Sequence, residues 1–489
     1  ASGRYSDAER ACARAGPFSG DSLCLVPLAL APAPPPARRC HYRQRDAFLS
    51  HLWRILVDHL ETFVATYDSR FLNTYGPLKP YTERAFGSLL LCGDPNLGVT
   101  RFSCCTCNIE LAVPFSCKTR ICPSCAKRRA EEVAANLVER LPAVAHRHLV
   151  VTIPRKAGLR LRILEDPKLF RKLAQIIVRV LRRQMVRQLS IHPDREQELL
   201  DVAKPGILMT QHSFSSDLSF HPHWHIIISD GVFSPEGDFI PLWNWDTQAL
   251  LEDLRASILR AFVRWSKLSL ETARSLQEWE LERSGFSCFL SPAIPEADKE
   301  GLARLIRYLF RSPVSYRQLS YDEATGMVRC RSKRGGHREW HATEFLAVLA
   351  QHVPRPRQHV VTYAGHYANA AGNLKQEIED DDSVGETKES TGGFRRYTWA
   401  ELLALVWRVD PLECPKCGDP MERGRTMRGE ELREFLQSIN RLGYPPRPPP
   451  VPLAGRDWPQ ESLEDPFIEP ADSSQFIDDT SQVPPDWDA

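Results

Sequence analysis

Apolar residues along the chain recur at two spacings, one typical of helices and one typical of strands. In residues 46–69 they fall three or four positions apart (Phe48, Leu52, Ile55), which predicts an amphipathic helix. The same spacing predicts helices over residues 128–141, 167–189, 246–272, 298–311 and 343–352. Short apolar or alternating runs predict strands over residues 148–153, 207–214, 221–228 and 359–363, and a hairpin over 316–332 that turns at 323–326. Because strands and helices are interspersed from residue 146 to residue 365, the pattern predicts a body of mixed α and β structure.

The stretches outside this body differ in composition and predict the domain boundaries. Residues 1–45 are rich in Ala, Pro and Gly, which indicates a flexible N-terminus. The predicted order is then a helical and cysteine-rich module over 46–145, the mixed body over 146–376, an acidic linker over 377–396, a small C-terminal CxxC module over 397–443 and a disordered, Pro-rich and acidic tail over 444–489.

Charge is unevenly distributed, although the formal net charge is only +1. Ten acidic residues and no Lys or Arg follow Arg456, so residues 1–456 carry 63 basic against 52 acidic side chains, or +11. A basic body with an acidic tail is typical of a protein that meets a polyanion.

Apolar runs and cysteine spacing bear on the compartment. No apolar run approaches the ~18 residues that a membrane span needs. The apolar segment 22–36 is short, broken by proline and without a basic start, so it fits neither a signal peptide nor an anchor. The fourteen cysteines cluster in close CxxC spacings, which indicates metal binding rather than disulfides. We therefore expect no membrane association and a reducing, cytoplasmic compartment.

Three histidines fall at alternate positions of the predicted strand 221–228, namely His221, His223 and His225. Alternate side chains of a strand point to one face, so the imidazoles share a face while Trp224 and Ile226 point to the other. A His-x-His pair of this kind can hold one divalent cation with two neutral ring nitrogens. The alternative is a buried strand that merely contains histidines, and three on one face make it the weaker interpretation.

Two CxxC pairs, Cys104 with Cys107 and Cys122 with Cys125, are separated by fourteen residues. This spacing predicts one closed, tetrahedral Zn²⁺ site that stabilises a module and carries no chemistry. Three further cysteines nearby are alternative ligands, and a second ion stays open: Cys92, Cys105 and Cys117.

Two basic residues after Cys117, Lys118 and Arg120, are candidate phosphate contacts. Near the other end of the chain, Cys414 and Cys417 are half a zinc site, and no Cys or His follows Cys417. The completing ligands would therefore come from earlier in the chain or from a second subunit.

Tyr308 lies beside the apolar stripe of the predicted helix 298–311, among three arginines: Arg304, Arg307 and Arg311. A phenol next to guanidinium groups can meet a phosphate and be stabilised as a phenolate. A surface tyrosine on a basic helix is the plainer alternative. Combined with the histidine pair, however, Tyr308 predicts a phosphodiester nicking site, in which Mg²⁺ or Mn²⁺ polarises the phosphate and the tyrosine attacks it to give a 5′-phosphotyrosine and a free 3′-hydroxyl.

Five motifs in this order resemble the rolling-circle insertion-sequence transposases of the HUH nuclease class, in the group that includes the ISCR elements. They are FSCKTRICPSC (115–125), HPHWHIIISDGVF (221–233), RYLFRSP (307–313), VPRPRQHVVTYAGHYAN (353–369) and TWAELLALVWRVDPLECPKCG (398–418). The resemblance implies an α+β fold: an HUH nuclease domain with a central antiparallel sheet and helices, an N-terminal zinc-binding module and a small C-terminal CxxC module.

The resemblance also assigns roles to particular residues. His223 and His225 would be the metal pair, with Gln211 as third ligand and His212 as its rival. Tyr308 would be the nucleophile, and Ser312 stands where some relatives have a second tyrosine, so the chain resembles the single-tyrosine branch. The implied substrate is single-stranded DNA at element ends and target, in a bacterial cytoplasm at the nucleoid, with a homodimer as one way to resolve strands.

Three other functions stay open at this point. A replication initiator or conjugative relaxase shares the same chemistry. A metallohydrolase of small substrates predicts acidic ligands and no role for Tyr308. A non-catalytic, zinc-containing DNA-binding protein predicts DNA binding that survives loss of both His223 and Tyr308. Aromatic surfaces for stacked bases could come from Trp243, Trp245, Trp265 and Tyr363, for which core packing is the commoner role.

Overall fold

A computed structural model describes residues 50–94, 98–189, 199–200, 202–332, 336–356, 358, 360–368, 414 and 416–440. The predictions for the N-terminus 1–45, the acidic linker 377–396 and the tail 444–489 lie outside these residues, as does the start of the predicted C-terminal module.

The bounds of the elements follow the sequence periodicity closely. The helices are α1 (His51–Arg70), α2 (Leu72–Tyr75), α3 (Pro80–Leu90), α4 (Pro123–Arg140), α5 (Leu159–Glu165), α6 (Lys168–Leu189), α7 (Thr247–Arg264), α8 (Leu270–Glu278), α9 (Leu281–Ser284), α10 (Lys299–Leu309), α11 (Ala342–Ala350) and α12 (Gly429–Asn440). The strands are β1 (Val99–Ser103), β2 (Glu110–Pro114), β3 (His146–Thr152), β4 (Lys204–Phe214), β5 (Phe220–Phe233), β6 (Phe239–Pro241), β7 (Ser287–Leu290), β8 (Leu319–Asp322), β9 (Met327–Arg331), β10 (His337–His341), β11 (Val361–Gly365) and β12 (Glu422–Met427).

The largest sheet has the strand order β11-β4-β5-β3-β7, with β6 paired to β5, and every pairing is antiparallel. The histidine strand β5 lies between β4 and β3, so the expectation of an antiparallel sheet with this strand at its centre is confirmed. Registers align Thr210 and Val150 with His225 from the two sides. Directly opposed residues share a face, so these registers decide which side chains accompany the histidines.

The two faces of this sheet are packed differently. On one face Trp224, Ile226 and Met209 are buried in the main core together with α5, α6 and α7. On the other face Leu208 and Ile227 pack against α4 and α10. The buried histidines lie on this second face as well, toward the end where β5 begins and next to the C-terminal end of α10. The sheet therefore holds the histidines on a rigid support.

Two smaller antiparallel sheets flank the body, with orders β10-β9-β8 and β12-β1-β2. The predicted hairpin is present: β8 ends at Asp322, β9 begins at Met327, and Gly326 adopts φ +68° in the turn between them. Left-handed backbone of this kind costs glycine little, which explains why the turn falls there.

Two predictions on the elements are corrected. The single helix expected over 246–272 is two helices, α7 and α8, because Ser266 adopts φ +55° and Ser269 caps α8 by accepting from the Thr272 N–H. The C-terminal CxxC segment is not a separate module in its described part, since β12 pairs with β1 of the cysteine-rich module.

Candidate metal centres and their surroundings

Three buried histidines from two neighbouring strands converge on one point. His212 of β4 and His223 and His225 of β5 each offer a ring nitrogen, and these nitrogens lie within 4.8 Å of one another. The Nε2 atoms of His223 and His225 are 3.1 Å apart. We call these three residues the histidine cluster. His221, the third histidine of the predicted face, has its ring centroid 5.2 Å from that of His223, and its carbonyl accepts from Nδ1 of His223.

Of the two candidates for a third ligand, the structure brings His212 to the histidine pair and places Gln211 on the opposite face of the sheet. Gln211 is opposed to Trp224, whereas His212 is opposed to His223. Opposed residues point to the same face, so Gln211 points into the main core and His212 toward the histidine pair. A shift of one residue along β4 changes the face, and the sequence alone left this choice open.

In each ring of the histidine cluster, one nitrogen points away from the common point and makes a hydrogen bond. That hydrogen bond determines which of the two ring nitrogens carries the lone pair. His223 donates from Nδ1 to the carbonyl of His221 at 2.7 Å, and His212 donates from Nε2 to the carbonyl of Leu309 at 2.8 Å. His225 places Nδ1 3.0 Å from Nε2 of His148. With these nitrogens as donors, each ring directs its remaining lone pair inward, as metal-binding histidines do.

The inward nitrogens fit a divalent cation. Nδ1 of His212 is buried and has no hydrogen-bond partner among the described residues. Two lone pairs facing each other across 3.1 Å repel unless a proton or a cation lies between them. Two imidazole nitrogens each about 2.0–2.1 Å from one ion are separated by roughly 3 Å at a right angle, which agrees with the His223–His225 distance.

Burial keeps these rings neutral, as metal binding requires. It lowers the pKa of His223 to about 4. Burial, followed by the neighbouring imidazoles, lowers the pKa of His225 and His212 further below the ordinary value. The histidines are therefore uncharged at neutral pH and can act as ligands.

His148 on β3 belongs to this site and was missed from the sequence, where it was only the start of a strand. Its ring stacks on that of His225 with centroids 5.2 Å apart and planes at 20°. Burial lowers its pKa to about 4. The register of β3 against β5, with His148 opposite Ile227, puts it on the histidine face, and this register could not be known before the fold.

Tyr308 lies next to the histidine cluster at the C-terminal end of α10. Its ring centroid is 5.1 Å from that of His225 and 6.3 Å from that of His148. The side chain is 36% exposed, so a large substrate can reach it. The adjacent Leu309 carbonyl, one of the last in the helix, accepts from His212 and joins the helix to the cluster.

The three arginines predicted around Tyr308 have different surroundings. The guanidinium carbon of Arg311 lies 4.5 Å from the centroid of the tyrosine ring, and its buried Nε has no hydrogen-bond partner among the described residues. Arg307 pairs with Glu131 at 2.6 Å and Glu300 at 3.0 Å. Arg304 also faces carboxylates, those of Asp298 and Glu300 at 3.9 Å. Only Arg311 of the three is directed at Tyr308.

An exposed aromatic side chain extends the site at the sheet edge. Phe289 of β7 is 56% exposed, and its ring lies 6.3 Å from that of His148. Val150 of β3 is opposed to Phe289 on one side and to His225 on the other. Phe289, Val150 and His225 therefore lie on the same face of the sheet. Trp243 is 94% exposed but lies far from the site. It follows β6, which pairs with β5 at Gly231. Gly231 is six residues from His225 along β5, a distance of about 20 Å.

The other aromatic candidates from the sequence lie elsewhere. Trp245 donates from Nε1 to Asp230 at 2.7 Å, and Trp265 packs against the main core. Tyr363 packs with the apolar cluster under α4 and α10.

Eight of the eleven described cysteines form two groups of four, which corrects the predicted single site of Cys104, Cys107, Cys122 and Cys125. The first cysteine cluster consists of Cys92, Cys117, Cys122 and Cys125, and the second consists of Cys104, Cys107, Cys414 and Cys417. The two cysteines of each CxxC pair lie in the same cluster, but the two pairs belong to different clusters. Cys105 is exposed and belongs to neither cluster.

The two predicted phosphate contacts adjoin the first cysteine cluster. Lys118 is exposed, with a left-handed backbone at φ +52°. Burial, with a smaller contribution from the charge of Arg129, lowers the pKa of Arg120 to about 9. Arg120 is partly buried, so Lys118 is the more accessible of the two.

No helix in the described ranges is both long and apolar enough to cross a membrane.

Two segments of the chain match transposase families. Residues 206–375, which include the histidine cluster and Tyr308, match the family described as "Putative transposase". Residues 60–153, which include the first cysteine cluster, match the family described as "Transposase zinc-binding domain". This match and the cysteine clusters support structural Zn²⁺.

One curated relative aligns over much of the chain. The transposase for insertion sequence element IS801 of Pseudomonas savastanoi pv. phaseolicola is 23% identical over an alignment of 405 residues, and the alignment covers 76% of this chain and 90% of that protein. No solved structure matches the chain.

Proposed function

Since this chain belongs to the rolling-circle insertion-sequence transposases, we propose that it nicks and rejoins single-stranded DNA through a covalent bond to Tyr308. The observation that carries the proposal is the position of the Tyr308 ring, 5.1 Å from that of His225 beside three inward-facing imidazole nitrogens. A nucleophile next to a cation site is what phosphoryl transfer through a covalent intermediate needs.

We propose His212, His223 and His225 as the residues that hold the cation, in the α+β nuclease fold of the HUH class. When bound, a divalent ion such as Mg²⁺ or Mn²⁺ supplies positive charge that stabilises the charge developing on the phosphate. Three neutral imidazoles are softer donors than the oxygens that Mg²⁺ prefers. We therefore expect Mn²⁺ to support the reaction at lower concentration than Mg²⁺.

The covalent step that we propose exchanges one phosphodiester for another. The Tyr308 oxygen attacks the scissile phosphorus, the bond from phosphorus to the 3′-oxygen breaks, and the phenol proton is given up while the leaving 3′-oxygen gains one. Arg311, beside the tyrosine ring, stabilises the phenolate and the phosphate by its charge. The product is a 5′-phosphotyrosine and a free 3′-hydroxyl, which can reverse the step on another strand.

Single-stranded DNA is supported as the substrate by the exposed ring of Phe289. Unpaired bases stack on exposed aromatic side chains, whereas duplex bases are already stacked. Phe289 lies on the same face as the histidine cluster and 6.3 Å from His148, where a base near the scissile phosphate could reach it.

Joining a strand at the target needs a second transfer. Ser312, at the position of a second tyrosine in some relatives, donates to the carbonyl of Ile121 at 2.9 Å and is held against the cysteine-rich module. We propose that the released 3′-hydroxyl, or a second copy of the chain in a homodimer, performs this step. An initiator or relaxase would use the same first step, and the two transposase family matches favour the present proposal.

The test is formation of a covalent protein–DNA adduct. The full chain is incubated with Mn²⁺ and labelled single-stranded DNA from the ends of its own element, and adducts are separated on denaturing gels. We expect an adduct with the native chain and with Tyr316→Phe, a matched control four residues beyond Ser312. We expect none with Tyr308→Phe or His225→Ala. An adduct that persists in Tyr308→Phe, or DNA binding without any adduct in the native chain, would contradict the proposal.

A further inference from the structure

The second cysteine cluster joins two parts of the chain that are more than 300 residues apart. Sγ of Cys104 lies 3.7 Å from that of Cys107 and 3.5 Å from that of Cys417, and Sγ of Cys107 lies 3.6 Å from that of Cys414. A disulfide would need about 2.05 Å. Four sulfurs at about 2.3 Å from one zinc ion, in a tetrahedron, are separated by roughly 3.8 Å. The spacing therefore corresponds to an ion site and not to a covalent pair.

The first cysteine cluster provides an internal standard for this spacing. Its sulfurs are 3.6–3.7 Å apart, measured from Cys92 to Cys122 and Cys125 and from Cys117 to Cys125. That cluster lies wholly inside residues 60–153, which match the zinc-binding family. The second cluster has the same sulfur geometry, but half of its thiols lie far outside that match.

Both CxxC turns of the second cluster are built in the same way. The Asn108 N–H donates to the Cys104 carbonyl at 2.9 Å, and the Gly418 N–H donates to the Cys414 carbonyl at 2.9 Å. The residue that closes each turn has positive φ, +52° at Asn108 and +79° at Gly418. Two matching turns present their four sulfurs to a common point.

The C-terminal segment also completes the structure of the cysteine-rich module. Strand β12 pairs with β1, and without it β1 and β2 would be a two-stranded hairpin, which is at best marginally stable alone. Val99 is buried with Met427, Leu432 and Phe435 of the C-terminal segment. The small core of this module thus combines residues of the cysteine-rich module with residues of the C-terminal segment.

We propose that a second zinc ion, bound by Cys104, Cys107, Cys414 and Cys417, fastens residues 414–440 to the cysteine-rich module and completes its three-stranded sheet. We call this site the zinc clasp. Because the four thiolates close the coordination shell, the ion is structural and carries no chemistry. The inference does not depend on the nicking activity.

Two exposed cysteines allow a test on the native chain without any substitution. Cys105 and Cys417 are both exposed, but only Cys417 belongs to the clasp. Alkylation requires a free thiolate, and the hydrogen bond to the Glu422 carboxylate raises the pKa of the Cys105 thiol, so the reaction with iodoacetamide is run at alkaline pH. We expect Cys105 to be modified faster than Cys417, as measured by mass spectrometry of the peptides. A strong chelator should bring Cys417 to the rate of Cys105. Equal rates before chelation would overturn the proposal.

Metal content gives an independent measurement. Zinc and iron are determined by plasma mass spectrometry in the native full chain, in the double variant Cys414→Ser, Cys417→Ser, and in the control Cys105→Ser. We expect the double variant to hold one zinc ion fewer per chain and the control to hold as many as the native chain. Unchanged zinc in the double variant, or iron in place of zinc in the native chain, would overturn the proposal.

Hydrogen exchange locates the consequence of losing the clasp. In the double variant we expect faster exchange in β12 and β1, and unchanged exchange in β5 at the centre of the large sheet. Faster exchange everywhere would mean that the substitution unfolds the chain, and the alkylation rates of the native protein would then decide. If β12 and β1 keep their native exchange after zinc is lost, the ion does not fasten the segment.

Discussion

The histidine cluster and the first cysteine cluster are both buried groups of side chains that could hold a metal ion, but they differ in the number of ligands and in their surroundings. The cysteine cluster offers four thiols to one point, which closes a tetrahedral shell. The histidine cluster offers three ring nitrogens, and a half-exposed tyrosine lies beside it. Three protein ligands leave coordination positions for a substrate. Ligand number and the exposure of neighbouring groups thus distinguish a closed, structural site from the site that we propose to be reactive.

Cys122→Ser should have the largest effect and acts on stability. Cys122 is fully buried in the first cysteine cluster, and structural zinc contributes on the order of 10 kcal/mol to folding of small zinc modules. We expect loss of one zinc ion and unfolding of the module, measured by zinc content and by hydrogen exchange of α4.

The counterpart His223→Ala should keep the zinc content and the exchange of α4 while losing adduct formation. If His223→Ala unfolds the module instead, or Cys122→Ser leaves it folded, the division between structural and reactive sites fails.

His148→Ala should have the next largest effect and acts on cation affinity through His225. Nε2 of His148 lies 3.0 Å from Nδ1 of His225. It accepts from that nitrogen when the other nitrogen of His225 binds a cation, and residues that orient ligands in this way change metal affinity by about 10–100-fold. We expect the Mn²⁺ concentration for half-maximal adduct formation to rise by that factor, with rescue at high Mn²⁺. His148→Gln keeps a hydrogen-bond acceptor at this position, so it should raise the required Mn²⁺ concentration less than His148→Ala does.

A matched control for His148 is His352, another buried histidine, which contacts Ser213 at 3.0 Å and the Leu218 carbonyl at 3.0 Å rather than the cluster. His352→Gln should leave the Mn²⁺ requirement unchanged. If both variants shift it equally, His148 acts through general packing and not through the orientation of His225.

Phe289→Ala should have the smallest effect and concerns substrate rather than metal. Stacking of one base on an aromatic ring contributes about 1–3 kcal/mol, so we expect a loss of roughly 5–150-fold in affinity for single-stranded DNA, measured by fluorescence anisotropy. Phe289→Trp should retain the affinity.

Trp243→Ala is the control for exposure alone, because Trp243 is more exposed but lies about 20 Å along β5 from the site. An equal loss in Phe289→Ala and Trp243→Ala would argue that DNA does not follow the path past His148.

Local periodicity determined much of what could be predicted. The alternation in β5 put His223 and His225 on one face and Trp224 on the other, and the structure agrees. The helical spacing of apolar residues in 298–311 predicted α10, the helix that carries Tyr308. The hairpin turn at 323–326 also lies where the sequence predicted it. These features involve residues within one or two turns of the chain, so spacing alone constrains them.

Register and packing decided the rest. The choice between Gln211 and His212 depends on a single step of register between β4 and β5, and the role of His148 depends on the register of β3. Cys104 and Cys107 lie beside Cys414 and Cys417 in the fold in which β12 pairs with β1, and no spacing along the chain predicts that pairing. A sequence states which side chains are available and which face of their own element they share. Which elements meet is determined by burial of their apolar faces, over separations that exceed 300 residues in the second cysteine cluster and that no local spacing describes.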